Sequence, residues 1–415
     1  MTLSCFELGE QMLSVEEART ALATLVERPV GSERVALAEA HGRRLAEDIT
    51  ATINVPQNTN AAMDGVALAW TQDAPTDWAV IGDAFAGQAF EGRVAAGQCV
   101  RITTGAPLPP GTDTVIMREQ LSEQGSRVVI DAPERVKRGQ NVRQAGEDIA
   151  AGSVALPAGT RLDAAALGLA ASLGCAAVSV CRRPRVAIFS TGNEVTAPGE
   201  ALPSAGIYDA NRYTLSGLLT EHGVEVVDLG ILPDELTALK DTLSHAAANS
   251  DLVISSGGVS VGHADFTRDA LEQLGRLAFW RVALRPGRPM ACGWLGESHT
   301  PFVGLPGNPV AVMVTFLQFV VPLLQRLQGQ PVTPPRRLNA IADDALKSRF
   351  QRTDFLRGVY HSDKQGQLRV RSTGAQGSGI LTSMVAANCL IELADDQDGV
   401  QPGEVVSIQP LTEWL

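Results

Sequence analysis

The sequence predicts a multidomain chain of α/β and β parts, with a doubly wound, mainly parallel α/β domain over residues 182–329 at its centre. Two observations predict that centre. Three short apolar runs each stop in a polar, glycine-bearing loop: Val186-Ala-Ile-Phe189 runs into Ser190-Thr-Gly-Asn-Glu194, Leu252-Val-Ile254 into Ser255-Ser-Gly-Gly-Val-Ser-Val-Gly262, and Pro301-Phe-Val-Gly-Leu305 into Pro306-Gly-Asn-Pro309. A buried strand that ends where the backbone must come close to something reads this way. Helix-like runs alternate with these strands, and such alternation gives βαβ units and a parallel sheet covered on both faces. A third observation bounds the centre: on either side the texture changes to short Val/Ile runs separated by Gly and Pro, as in small all-β modules. Parallel strand ends on one sheet edge are where open α/β folds bind ligands.

Taken in order, Ser14 to Glu27 reads as a capped helix, with Ser14 as N-cap and Glu17 three residues on. A second helical piece is expected from Leu37 to Leu45. Residues 53–145 carry Trp78-Ala-Val-Ile-Gly82, Cys99-Val-Arg-Ile-Thr103, Thr114-Val-Ile-Met117 and Arg127-Val-Val-Ile130 between turn signals, and predict an inserted β module. Thr160-Arg-Leu-Asp163 precedes an Ala/Leu run ending at Gly174, so residues 146–181 are expected to pack back on residues 1–52 as one discontinuous helical domain. Arg182-Arg-Pro-Arg185 is a hinge into the centre. There strands are expected at 186–189, 224–229, 252–256, 279–284 and 301–305, with helices at about 209–222, 234–248, 266–274 and 309–327. Gln328 to Arg337 is a Pro-rich linker, and the short strands of 336–415 predict a C-terminal β barrel.

The 415 residues are 45% hydrophobic and 19% charged, as in an ordinary globular protein, and the 5% aromatic share leaves the core to Ala, Val, Leu and Ile. A formal charge of −12 argues against a nonspecific nucleic-acid binder. The six cysteines form no CxxC and no Cys/His zinc spacing, which fits reduced thiols in a reducing compartment. Glu7, Glu10, Glu16 and Glu17 stand where a cationic apolar signal would begin, and no apolar run is expected to reach the roughly 20 residues of a membrane span. The expectation is a cytoplasmic protein with no nucleic-acid or membrane partner.

Four sets of residues have the chemistry of a site. Glu194, Asp234 and Asp265 each follow an expected strand of the central sheet, where carboxylates hold a hard cation such as Mg²⁺ or simply cap the next helix. Ser256, Gly257, Gly258 and Ser260 offer hydroxyls and freed backbone amides to an anion, or form a tight turn. Arg281, Arg285 and Arg288 place cations about one short stretch. On a single strand 281 and 285 share a face, which suits an oxyanion or a solvated edge. Asp64 in Met63-Asp64-Gly65, Thr104 in Thr104-Gly105, and Arg143 with Asp148 lie in small, polar surroundings that also serve as turns. The chain has no GxxxxGK[ST] and no GxGxxG, and no convincing Ser/His/Asp order of a hydrolase triad.

In order along the chain, Ala61-Ala-Met-Asp-Gly65, Thr103-Thr-Gly-Ala-Pro107, Gly146-Glu-Asp-Ile149, Phe189-Ser-Thr-Gly-Asn-Glu194, Ser255 to Gly262, Arg285-Pro-Gly-Arg-Pro289 and Gly304-Leu-Pro-Gly-Asn-Pro309 resemble the signature series of the MoeA-type molybdopterin molybdenumtransferases. The C-terminal domain of gephyrin represents the same family. The resemblance covers essentially the whole chain. It implies a transferase that takes adenylylated molybdopterin and molybdate, leaves molybdenum on the dithiolene and releases AMP with Mg²⁺ assisting. It also implies an elongated homodimer whose site lies between subunits, with the molybdopterin adenylyltransferase and apo-molybdoenzymes as further partners.

Carried over by residue, Asp64 and Thr104 match the partner side of the site, and Glu194, Asp234 and Asp265 match acidic positions of the central pocket. Pro306 and Pro309 match the rigid Pro-Gly-Asn-Pro loop, and Ser378 matches a C-terminal loop serine. Positions 281, 285 and 288 are Arg where the family pattern has Lys, so an anion-holding role survives and one needing a deprotonated amine does not. On this reading Arg285→Ala keeps the fold and loses molybdate-dependent turnover. The alternatives are a molybdopterin adenylyltransferase, which shares the central domain type, and a non-catalytic scaffold. Molybdate and tungstate are not distinguished by these residues.

Overall fold

The computed structural model describes residues 12–233, 235–257 and 266–411. The chain divides into two units, residues 34–180 and residues 1–33 joined with 181–415. The second unit opens with strand Met12–Leu13 (β1) and helix Val15–Ala23 (α1). Ser14 caps α1: its Oγ accepts from the Glu17 N–H at 3.2 Å, and its own N–H donates to Glu17 Oε2 at 2.8 Å. Ala18, Ala21 and Leu22 of α1 are buried in the α/β core, and β1 pairs in parallel with the later strand Gly275–Val282. Residues 12–33 therefore fold with the α/β part and not with 146–181, because the apolar stripe of α1 meets the apolar helices that close that core.

In the 34–180 unit, the helix expected over 37–45 is only the 3₁₀ turn Leu37–Glu39, and Gly42 soon takes a φ of 75° that a helix does not allow. The β module is a six-stranded sheet of Gly65–Leu68 (β2), Asp77–Ala84 (β3), Gln98–Ile102 (β4), Thr114–Met117 (β5), Leu121–Gln124 (β6) and Arg127–Ile130 (β7), in the order β5-β2-β4-β3-β7-β6. Helix Ala164–Ser172 (α2) is capped by Asp163, whose Oδ1 accepts from the Ala166 N–H at 2.9 Å.

The α/β part runs through Arg185–Ser190 (β8), Asn211–Glu221 (α3), Glu225–Ile231 (β9), Leu236–Asn249 (α4), Leu252–Ser256 (β10), Phe266–Leu274 (α5), Gly275–Val282 (β11), Leu284–Arg285 (β12), Pro289–Leu295 (β13) and Thr300–Leu305 (β14). Its sheet has the order β1-β11-β13-β14-β10-β8-β9. The block β14-β10-β8-β9 is parallel, and β13 runs antiparallel to both its neighbours. β13 is the strand that the sequence pattern hides, since Gly293 interrupts it. A Cβ there would lie 2.1 Å from the Arg276 carbonyl oxygen, so the close pairing with β11 requires glycine.

Pro309–Thr315 (α6), a π-helical turn Phe316–Val320 and Val321–Leu327 (α7) form one continuous apolar run. Contrary to the sequence expectation, this 19-residue run is long and apolar enough to cross a membrane, but it is 83% buried as the core of the α/β part. The C-terminal part is Leu338–Ala342 (β15), Thr353–Ser362 (β16), Leu368–Ser372 (β17), helix Leu381–Val385 (α8), Cys389–Leu393 (β18) and Val405–Pro410 (β19). The strands pair β16-β17-β15-β19-β18, and β18 pairs back to β16, closing a barrel-like ring. β12 adds in parallel to β16, so the chain leaving β11 is fastened to the barrel.

The π-helical turn has a visible use. Arg19 donates through Nη2 to Gln318 Oε1 at 2.8 Å and through Nε to the Gln318 carbonyl at 3.3 Å. Gln318 Nε2 donates to Gln409 Oε1 at 2.8 Å, Gln409 Nε2 donates to Glu392 Oε2 at 2.7 Å, and Arg337 closes on Glu392. This chain of bonds joins α1, the π turn, β19 and β18. A π turn re-aims one residue relative to an α-helix, and here that residue is the buried Gln318.

Candidate functional site

The ends of β8, β10 and β14 meet as the sequence predicts. Ser190 and Ser256 are register neighbours on parallel strands, and both are buried. After Ser256 the chain turns through Gly257 at φ 85°, and the Gly257 N–H donates to the Leu305 carbonyl at 3.2 Å. A Cβ on Gly257 would lie 3.3 Å from the Thr191 carbonyl oxygen, so the loops after β8 and β10 touch here. Pro306 leaves β14, and Pro309 starts α6 with its φ already helical. The sequence-predicted Ser256, Gly257, Pro306 and Pro309 therefore share one edge. Gly258, Ser260, Asp234 and Asp265 lie outside the described residues.

Asn211, the first residue of α3, ties this edge together. Its Nδ2 donates to Ser256 Oγ and to the Gly307 carbonyl, each at 2.7 Å, and its Oδ1 is buried with no hydrogen-bond partner. Ser190 Oγ is also buried without a partner. Beside them, Asp209 is buried and accepts from the Arg212 N–H at 3.1 Å and from its Nε at 3.0 Å, while Arg212 Nη1 reaches Asp228 at 2.7 Å. Asp228 and Asp209 hold the Arg212 guanidinium firmly charged. Glu194 stands exposed in the loop after β8. Gly192 sits at φ 132° where a Cβ would meet the Glu194 carboxylate at 2.7 Å, so the glycine lets that carboxylate fold against the loop.

The arginines do not form the expected single-strand cluster. The chain breaks between β11 and β12, so Arg281 lies exposed on β11 while Arg285 sits on β12 against the barrel. The Arg285 guanidinium is ion-paired to Asp354, a fully buried carboxylate that also accepts from Ser348 Oγ and the Arg349 N–H, both at 3.1 Å. Burial raises the Asp354 pKa, and those partners offset it only in part. Arg288 is exposed, with Nη2 3.8 Å from Met12 Sδ. Between them Gly287 lies on α6, where a Cβ would be 2.6 Å from Thr315 Cγ2.

A fourth cation escaped the sequence reading. Arg357 is 1% exposed and donates through Nε to Ser383 Oγ at 3.0 Å and through Nη2 to the Gly377 carbonyl at 3.1 Å. Burial, and then the charge of Arg285, lower its pKa to about 10. The next residue, Ser378, accepts through its carbonyl from the Val310 N–H at 3.0 Å, which docks the barrel loop on the first turn of α6. Ser378 thus lies against the start of α6, next to Pro309.

The 34–180 unit holds its own set. Asp64 Oδ1 accepts from the Thr104 N–H at 2.7 Å and from Thr104 Oγ1 at 2.8 Å, and these two bonds lower the Asp64 pKa. Gly65 follows because a Cβ would fall 1.8 Å from the Ile116 carbonyl oxygen. Arg143 is exposed and pairs with Asn60, at the start of the same loop, while Asp148 is exposed near the Val55 end.

Family models match nearly the whole chain: "MoeA N-terminal region (domain I and II)" over 13–174, "Probable molybdopterin binding domain" over 187–326, and "MoeA C-terminal region (domain IV)" over 339–411. A molybdopterin molybdenumtransferase of Haemophilus influenzae is 43% identical over 97% of this chain and 100% of its own length. One from Nostoc is 36% identical over 92% of this chain and 89% of its own length. The crystal structure of the molybdopterin biosynthesis MoeA protein of Pyrococcus horikoshii superposes with a TM-score of 0.83 at 29% identity, covering 96% of this chain and 100% of that one.

Proposed function

The chain belongs to the MoeA family of molybdopterin molybdenumtransferases and serves molybdenum insertion in molybdenum cofactor biosynthesis, and from this premise we propose how its residues divide the work. Adenylylated molybdopterin binds along the edge formed by β8, β10 and β14, with its phosphates at the Ser256–Gly257 turn, where the Ser256 hydroxyl suits an anion. Molybdate is held between the barrel and α6 by Arg285, Arg357 and the Ser378 loop, with Arg288 and Arg281 on its exposed approach.

The observation that supports this most is the Arg285–Arg357 pair. Arg357 is a buried cation bonded only to neutral oxygens among the described residues, and it lies near a second cation. A charge so placed is costly until an anion reaches it, and guanidinium donors suit a tetrahedral oxyanion. Tungstate has the same shape and charge.

Mg²⁺ is proposed on Glu194, Asp234 and Asp265. Glu194 fits, because it is exposed beside the phosphate turn and bonds no cation among the described residues. When bound, the ion neutralises phosphate charge and helps AMP leave. A cytoplasmic homodimer is also proposed, with Asp64 and Thr104 of each subunit serving the other's substrate. The molybdopterin adenylyltransferase and apo-molybdoenzymes are the further partners this reading implies.

AMP release tests it. Purified protein with adenylylated molybdopterin and Mg²⁺ is expected to release AMP only when molybdate is present, in step with metal-loaded pterin. Molybdate-independent release, or ATP-dependent pyrophosphate release, would replace this reading with the adenylyltransferase. Sedimentation as open lattices in place of dimers would favour a scaffold.

A further inference from the structure

We propose that Asn211 is a positioning residue that aims the Ser256 hydroxyl as a donor at the anionic group of the substrate; this rests on reading the strand-end edge as the phosphate site. The contacts of the Asn211 amide fix its orientation. One atom of the Asn211 side chain contacts both the Gly307 carbonyl and Ser256 Oγ at 2.7 Å. A backbone carbonyl only accepts, so that atom is the nitrogen. Both bonds then come from one NH₂ group, and Oδ1 is left buried with no partner. An amide placed only to hold the fold would be expected to use its oxygen as well.

The consequence falls on Ser256. A nitrogen donating to Ser256 Oγ has no lone pair to receive the hydroxyl proton in return. The Ser256 O–H therefore points away from Asn211, and it donates to no described residue, although Ser256 is only 4% exposed. Its register neighbour Ser190 is likewise buried with an unused hydroxyl. Two adjacent hydroxyls at the end of parallel strands, one of them turned outward by an amide, form donors in a low-dielectric edge where a bond to an anion is strong. Because the same NH₂ group holds Gly307, the Pro306–Pro309 loop and the serine are set together.

A double-mutant cycle with a pH arm tests this, using AMP binding by calorimetry and steady-state turnover of adenylylated molybdopterin. Asn211→Ala is expected to weaken AMP binding and raise KM by about tenfold, the scale of a lost hydrogen bond to a charged group. In the Ser256→Ala background the same change is expected to cost twofold or less, since the two residues act through one hydroxyl. Asn211→Asp, of nearly the same shape, presents an acceptor to both Ser256 and Gly307. Relative to wild type at each pH, it is expected to lose AMP binding near neutrality and regain it as the new carboxyl protonates and becomes a donor. Additive losses in the cycle, or an Asn211→Asp defect that does not change with pH, would overturn the positioning role. If wild type neither binds AMP nor releases it with molybdate, the phosphate-site reading fails first and takes this proposal with it.

Discussion

Gln318 and Asn211 are both amides wedged where three elements meet, and they are used in opposite ways. Gln318 is satisfied at both ends: its oxygens accept from Arg19 and its nitrogen donates to Gln409, in a chain of bonds that runs on to Glu392 and Arg337. Asn211 is satisfied at one end, and the buried Ser190 hydroxyl beside its partner strand is satisfied at neither. A complete network in a low dielectric fixes one arrangement of the elements it joins. An open polar group in the same dielectric stabilises nothing until a ligand completes it. Stability and turnover should therefore separate by region.

The largest effect is expected where the two kinds of region overlap, at Arg285. Sequence reasoning gives Arg285→Ala an intact fold, but the structure changes that expectation. Removing the guanidinium leaves the fully buried Asp354 without its counter-ion, which costs about 3–5 kcal/mol. Urea unfolding is expected to show this loss together with lost turnover. Adding Asp354→Asn should restore most of the stability and none of the turnover. The same Asn change has a pH signature. The raised pKa of Asp354 means that, above its ordinary 3.8, the folded chain keeps a proton the unfolded chain has released. Its contribution to stability is full below 3.8 and falls as pH rises through the folded value. Asp354→Asn should remove that slope. If Arg285→Ala unfolds at the wild-type urea concentration, the ion pair does not hold the barrel.

Gln318→Ala comes next. It leaves Arg19 Nη2 and Gln409 Oε1 without their partners in the core, at a cost of about 2–4 kcal/mol. At a temperature where the variant is folded, KM for adenylylated molybdopterin and kcat are expected to stay within about twofold of wild type, because the network touches no proposed substrate group. Replacing Gln318 and Gln409 together with Met should recover much of the stability, as apolar isosteres of a buried polar pair often do. A selective fall in kcat for the folded variant would show that the closed network reaches the site.

The contrast also explains what was legible in the sequence. The three strand ends were, because glycine and proline there answer to backbone geometry that any reader of the chain can see. Gly257 turns at positive φ, Pro309 opens α6, and Gly65 fits under the Ile116 carbonyl. The strands at 186–189, 252–256 and 301–305 appeared within a residue of their expected ends. The polar groups that complete the edge were hidden by their ordinary local grammar. Asn211 stands at a helix start, where Asn is commonplace, and its partners are 45 and 96 residues away. Arg357 interrupts an apolar strand and reads as its solvent face, whereas β16 is buried on both faces from Asp354 to Gly358. The arginine stretch misled because the step from β11 to β12 is set by the barrel strand β16, which lies some 70 residues further on.

The smallest effect in stability carries the sharpest test. Ser190→Ala removes a buried hydroxyl that bonds to nothing. If that hydroxyl were structural, its loss would cost stability. As an open group it carries only a desolvation penalty, so the variant should unfold at the same urea concentration as wild type or be more stable by up to about 1 kcal/mol. Turnover should move the other way. Ser190 sits in register with Ser256 on the edge assigned to the substrate phosphates, so kcat/KM is expected to fall roughly 5- to 10-fold, mostly through KM. Proteins keep such groups where binding needs them, at some expense to the fold. Opposite signs for stability and turnover at Ser190, beside equal signs at Arg285 and a stability loss alone at Gln318, would mark the open edge as built for a ligand. A Ser190→Ala variant that loses stability and keeps turnover would instead return the edge to the class of the Gln318 network.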